Sequence, residues 1–149
     1  MKPVRSLSNR LSTILAGDTA TIGAAAANKL GLIVAPFVPG VDLLLADITL
    51  SAATGLVPIA GVAGAQFESV DPVSGELIVE VKPPAGGFRW ETPVGFTGPV
   101  TVYGFALIDN GAANLWGTQA LQDPIVLTAE NESIIAPAIQ FRIDPTKVK

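Results

Sequence analysis

Val100-Thr101-Val102-Tyr103-Gly104-Phe105-Ala106-Leu107-Ile108, followed by Asp109-Asn110-Gly111, is the stretch from which the fold of this chain is read. Residues 100–108 are apolar or aromatic at both alternating sets of positions, so a strand built from them has no solvent face. It must be central in its sheet or covered by a second layer. Asp109-Asn110-Gly111 supplies residues that tolerate positive φ, the strongest short-range signal for a hairpin. Residues 114–121 therefore return beside residues 100–108, as an antiparallel pair.

Working outward, the same logic recurs. Phe88 and Trp90 alternate with Arg89 and Glu91, and Leu77, Val79 and Val81 alternate with Glu76, Glu80 and Lys82. Each set has the period of a two-faced strand. Asp71-Pro72-Val73-Ser74-Gly75 has turn chemistry, and Pro83-Pro84 stops the strand that follows it. Further upstream, strands are expected over Leu32–Val38 (an edge or bulged strand, cut by Pro36 and Pro39), Leu43–Leu50, Leu56–Val62 and Ala65–Val70. Downstream, Asp123-Pro124 is expected to turn into Ile125–Thr128, and a polar turn at Ala129–Ser133 leads to Ile139, Phe141 and Ile143 alternating with Gln140 and Arg142. Short strands at this spacing, with no helical pattern after Leu30, predict an all-β chain: an antiparallel β-sandwich or jelly-roll-like domain over residues 31–149. Parallel architecture would need crossover helices for which there is no room. Leu77, Val79, Val81, Phe88, Trp90, Tyr103, Phe105, Ile139 and Phe141 are the expected core or an intersubunit seam.

Residues 1–30 read differently. Leu7, Leu11, Ile14 and Leu15 form the stripe of a short amphipathic helix, and Gly17 ends it. Asp18 or Thr19 then caps a second turn or helix through Ala20–Leu30. Helices this short are marginal alone. The segment is thus either a helical layer folded onto the domain or an arm that becomes ordered on a neighbouring subunit.

Composition restricts the chemistry. The 149 residues include no His, no Cys, one Met and one Tyr, with 49% hydrophobic residues, 15 Gly and 12 Pro. Without His or Cys the usual nucleophile–base pairs and zinc sites have no parts. Glu76 and Glu80 share one strand face but stand roughly 13 Å apart, too wide for a glycosidase pair. Asp71, Asp109 and Asp123 sit in turn signatures. Asp42 with Asp47, and Glu130 with Glu132, offer oxygens without the spacing of a regular calcium loop, and read as solvated surface acids. Gly61-Val62-Ala63-Gly64 and Gly86-Gly87 read as turns, since neither has a phosphate-binding context. The expectation is a non-enzymatic protein without cofactor, metal or catalytic residues.

The formal charge of −4 and the thin basic cluster of Lys2, Arg5 and Arg10 argue against nucleic acid. The uncharged run Ile48–Phe67 is long enough to cross a membrane, but Gly55, Pro58, Gly61 and Gly64 break it, and no membrane partner is expected. Nor do residues 1–10 have the apolar core of a secretory signal. Charged residues are only 15%, against about 25% in ordinary domains, so some apolar surface is expected to meet a protein partner. The candidate interface residues are Arg5, Leu7, Arg10, Leu11, Ile14, Leu15, Trp90 and Trp116. For Trp90, Tyr103 and Trp116 a role in packing competes with a sugar or receptor site.

Val102-Tyr103-Gly104-Phe105-Ala106-Leu107-Ile108-Asp109, then Asn114-Leu115-Trp116, Pro124-Ile125-Val126-Leu127 and Ile139-Gln140-Phe141, with Leu32-Ile33-Val34 to Pro39 and Leu44-Leu45-Ala46-Asp47 upstream, resemble small structural proteins of tailed bacteriophages. The resemblance covers about residues 30–143. Its motifs are fold-bearing, and Ala106 departs from the second aromatic that often follows Tyr-Gly. It implies a virion component, a head decoration or cement protein on the outer surface of the head. Its partner would be the major capsid protein, and it would be a homo-oligomer, with a trimer favoured. A tail- or fibre-associated receptor-binding protein is the alternative.

Overall fold

The computed structural model describes residues 2–3, 28–40, 42–62, 66–70, 73–81, 83–109, 114–136 and 139–143. Ten strands are described in these residues: β1 Lys2–Pro3, β2 Asn28–Ile33, β3 Ile59–Val62, β4 Gln66–Val70, β5 Leu77–Val81, β6 Phe88–Glu91, β7 Val100–Asp109, β8 Leu115–Leu127, β9 Ser133–Ala136 and β10 Ile139–Ile143. They form a five-stranded sheet in the order β1-β8-β7-β2-β3, a three-stranded sheet β10-β5-β4 and a two-stranded sheet β6-β9. Every pairing is antiparallel. The domain is all-β.

β7 lies at the centre of the large sheet, as its two apolar faces require. Leu30 and Leu32 of β2 stand opposite Leu107 and Phe105 of β7. These four share a core with Leu56, Val62, Phe88, Trp90, Val102, Leu127, Ile134, Ala136 and Ile139. On the opposite face, Ile33, Ala106, Ile108 and Leu115 are covered by Phe37, Leu43, Leu45, Ile48 and Leu50. The second cover is a single crossing segment, residues 34–50. It comes close to the sheet at Gly104, where a Cβ would lie 2.9 Å from the Phe37 ring.

Four local expectations need correction. The segment Leu43–Leu50 is not a strand. Its apolar residues do not keep a period of two, and Asp47 accepts the Leu44 N–H at 2.8 Å, closing a 3₁₀ turn over Leu45–Asp47. The strand expected at Leu32–Val38 is β2, Asn28–Ile33, ending before the prolines. β2 also replaces the last turn of the helix expected over Ala20–Leu30, because Asn28, Leu30 and Leu32 alternate toward the core. Finally, Asp123-Pro124 is no turn. β8 runs through it from Leu115 to Leu127. Its partners jump from Gly104↔Ala120 to Val102↔Ile125, so four β8 residues (121–124) oppose the single residue Tyr103. Beyond Gly117 and Thr118 no described strand pairs with the other side of β8, and a bulge there tolerates a proline without an N–H.

β4, β5, β6 and β10 fall at expected strands, β3 is a shorter version of the strand expected over Leu56–Val62, and β1 and β9 have no counterpart among the expected strands. β6 is buried at Phe88 and Trp90 and exposed at Arg89 and Glu91. Phe105 and Ile139 are buried as expected, whereas Tyr103 is half-buried. The side chains of Leu77, Val79, Val81 and Phe141 lie outside the described residues. So does the structure of residues 4–27, including the amphipathic stripe.

Candidate interaction surface

Two loops meet at one end of the molecule. Residues 92–99 join β6 to β7, and residues 128–132 join β8 to β9. Thr92, 1% exposed, ties them together. Its hydroxyl donates to the Ala129 carbonyl at 2.8 Å and accepts the Glu132 N–H at 2.8 Å. Its backbone N–H donates to the Glu132 carbonyl, and its carbonyl accepts the Asn131 N–H, each at 2.9 Å. Asn131 has φ 62, the left-handed conformation that Asn tolerates better than most residues.

Two carboxylates complete the junction. Glu132 accepts the N–H groups of Thr128 at 2.6 Å and Ala129 at 3.0 Å. Those backbone hydrogen bonds, the one from Ala129 foremost, hold its carboxyl below the usual carboxylate range against a weaker opposing effect of burial. Glu130 accepts the Gly95 N–H at 2.8 Å across the two loops. Both acids anchor backbone while Glu130 stays exposed, as expected of a surface acid. Among the described residues no group of three or more acidic side chains could hold a metal ion.

Apolar side chains stand out from this frame. Val94 is 81% exposed and Val126 is 51% exposed, with Ile125 beside it at 38%. Phe96, two residues from Val94, packs inward against the main core. Gly98 sits so close to the Leu127 carbonyl and the Thr128 Cα that the two loops run side by side. The arrangement presents aliphatic groups on a rigidly connected end.

The two tryptophans expected at an interface are engaged within the chain. Trp90 is 2% exposed, its indole N–H donates to the Val57 carbonyl at 3.0 Å, and its ring stacks on Phe105 at a centroid distance of 5.8 Å. Trp116 is the extra residue of a second bulge in β8, since Leu107 pairs with Gly117 and Ile108 with Leu115. The bulge turns its partly buried indole toward the buried Asn28, whose Oδ1 accepts the Trp116 N–H at 3.2 Å. Both side chains have the one polar partner that a buried indole needs.

Arg5, Leu7, Arg10, Leu11, Ile14 and Leu15 lie outside the described residues. The ends of their segment are described. β1 pairs with β8 at Lys2↔Thr118 and Pro3↔Gly117, and β2 lies two strands further in. At about 4.8 Å per strand spacing, Pro3 and the β2 line are only about 14 Å apart. The described residues on either side of the segment, Lys2–Pro3 and Asn28–Ile33, belong to one sheet.

Sequence reasoning missed Thr92. Nothing around Phe88-Arg89-Trp90-Glu91-Thr92 marks it, because its partners are 37 to 40 residues away. A charge signal was available: between Arg89 and Arg142 the sequence has no Lys, Arg or His, while Glu91, Asp109, Asp123, Glu130 and Glu132 fall within it. No helix among the described residues is long and apolar enough to cross a membrane. No protein-family model, no curated protein and no solved structure matches the chain.

Proposed function

We propose that this chain is a non-enzymatic structural protein of a virion, a decoration or cement protein that stabilises the head shell through contacts with the major capsid protein. The observation that carries the reading is the end bearing Val94 in loop 92–99 and Val126 at the end of β8, aliphatic groups left in solvent beside hydrogen-bonded loops. Low overall charge supports it, as does the resemblance of the Tyr-Gly-Phe strand and the Leu-Trp strand to small phage structural proteins. In this reading the core shared by the large sheet and β6-β9 is that of a β-sandwich. The protein acts as a homo-oligomer, a trimer first, on the outer surface of the head.

The test is attachment of Val94→Asp/Val126→Asp to purified heads lacking the protein. The variant should melt within a few degrees of wild type, since both positions are exposed, and should lose occupancy. Full occupancy would overturn the docking assignment. Electron cryo-microscopy of intact particles gives location and symmetry together: a regular lattice over the head supports the reading, and density confined to the tail tip replaces it with receptor binding.

A further inference from the structure

We propose that Glu130 and Glu132 form a carboxylate latch, acid-releasable at Glu132, that holds loops 92–96 and 128–132 together and so fixes the end that carries Val94. This inference rests on the reading of that end as the docking surface and adds its regulation.

The geometry divides the work between two carboxylates. Glu130 reaches across to the Gly95 N–H at 2.8 Å, one residue from Val94. Glu132 closes its own turn on the N–H groups of Thr128 and Ala129. Thr92 joins the two halves through groups that do not titrate. Acid therefore weakens part of the junction and leaves the Thr92 tie intact, which describes loosening without loss of the fold.

The charged surroundings are one-sided. Loop 92–96 contributes no titratable group, and the paired end of β7 and β8 (Val100–Val102 with Ile125–Leu127) contributes none. Glu91 of β6 stands opposite Ser133 of β9, next to Glu132, but its carboxylate is held by Arg89 at 3.0 Å. Asp123 lies further along β8. With no cation in either loop, the carboxylates are held by backbone N–H dipoles. The sign follows. Glu132 is stabilised in its charged form when folded, so its bonds are fully present above the usual carboxylate pKa and fade as pH falls through its lowered folded value.

The experiment is amide hydrogen exchange on the free full-length protein, read as protection factors at Gly95, Thr128 and Ala129, with Phe105 and Leu107 of β7 as core references. In wild type, protection at Thr128 and Ala129 should fall at least tenfold between pH 6 and pH 2.5 while the core amides stay protected. In Glu130→Gln/Glu132→Gln, all three loop amides should be at least fivefold less protected than wild type already at pH 6, with no further fall in acid. Wild-type protection in the double variant at pH 6 would overturn the latch, and that comparison needs no acid-stable fold. Exchange on the free protein speaks to the latch alone. Failure of the docking assignment shows only in the head-attachment experiment.

Discussion

Replacing Thr92 by Val keeps the shape of the side chain and deletes the hydroxyl that joins the two loops. Two groups lose their partner at once: the Ala129 carbonyl, bound at 2.8 Å, and the Glu132 N–H, also at 2.8 Å. A fully buried polar group left without a partner costs about 1–3 kcal/mol. Ala129 is exposed and Glu132 only half-buried, so water can reach both after a small opening. That places the expected loss near the lower end, at about 1.5–3 kcal/mol for the pair. Thr92→Ser keeps the hydroxyl and gives up one methyl, worth about 0.8 kcal/mol. In a domain of this size about 1 kcal/mol shifts the melting temperature by about 2–4 °C. Thermal and urea melts of wild type, Thr92→Ser and Thr92→Val should therefore rank in that order, with Val lower by about 3–12 °C. A loss for Ser with none for Val would show that packing of the methyl, and not the hydroxyl, holds the junction. A loss below about 0.5 kcal/mol for Val would refute the keystone role altogether.

Other perturbations probe separate parts of the same frame. Trp90→Ala should cost about 3–5 kcal/mol by urea unfolding, and Trp90→Phe clearly less, because Phe retains the stack on Phe105 and loses only the bond to Val57 and some volume. Gly104→Ala should destabilise by more than about 2 kcal/mol, since its Cβ would meet both the Gln119 carbonyl and the Phe37 ring; a neutral result would mean that residues 34–50 do not cover that face of the sheet. Gly55→Ala, at φ +79 and against the Glu91 carbonyl, should likewise lower the urea midpoint. Val73→Ser, at a 95% exposed turn tip, should leave the midpoint within about 0.5 kcal/mol of wild type.

Local chemistry was sufficient for the strands whose side chains alternate and for the antiparallel return of β8 beside β7. Phe88-Arg89-Trp90-Glu91 shows its buried and exposed faces by composition alone, and residues 100–108 show that they have no solvent face. Absence of His and Cys removes the usual nucleophile–base pairs and zinc ligands. Tertiary structure decided what depends on partners distant in sequence. Leu43–Leu50 is apolar enough for a strand, but it lies across the sheet as a cover, where packing on Ile33, Ala106 and Ile108 outweighs propensity. Asp123-Pro124 has turn chemistry, yet a long β7 offered pairing on both sides of it, so the sequence bulged instead of turning. Trp116 looks like a surface aromatic until the neighbouring bulge rotates it onto Asn28. The loop junction was the least legible feature, since Thr92, Gly95, Glu130 and Glu132 are ordinary polar-loop residues in sequence. Only the antiparallel return of β9 onto β6 brings their hydrogen-bonding groups within reach of one another.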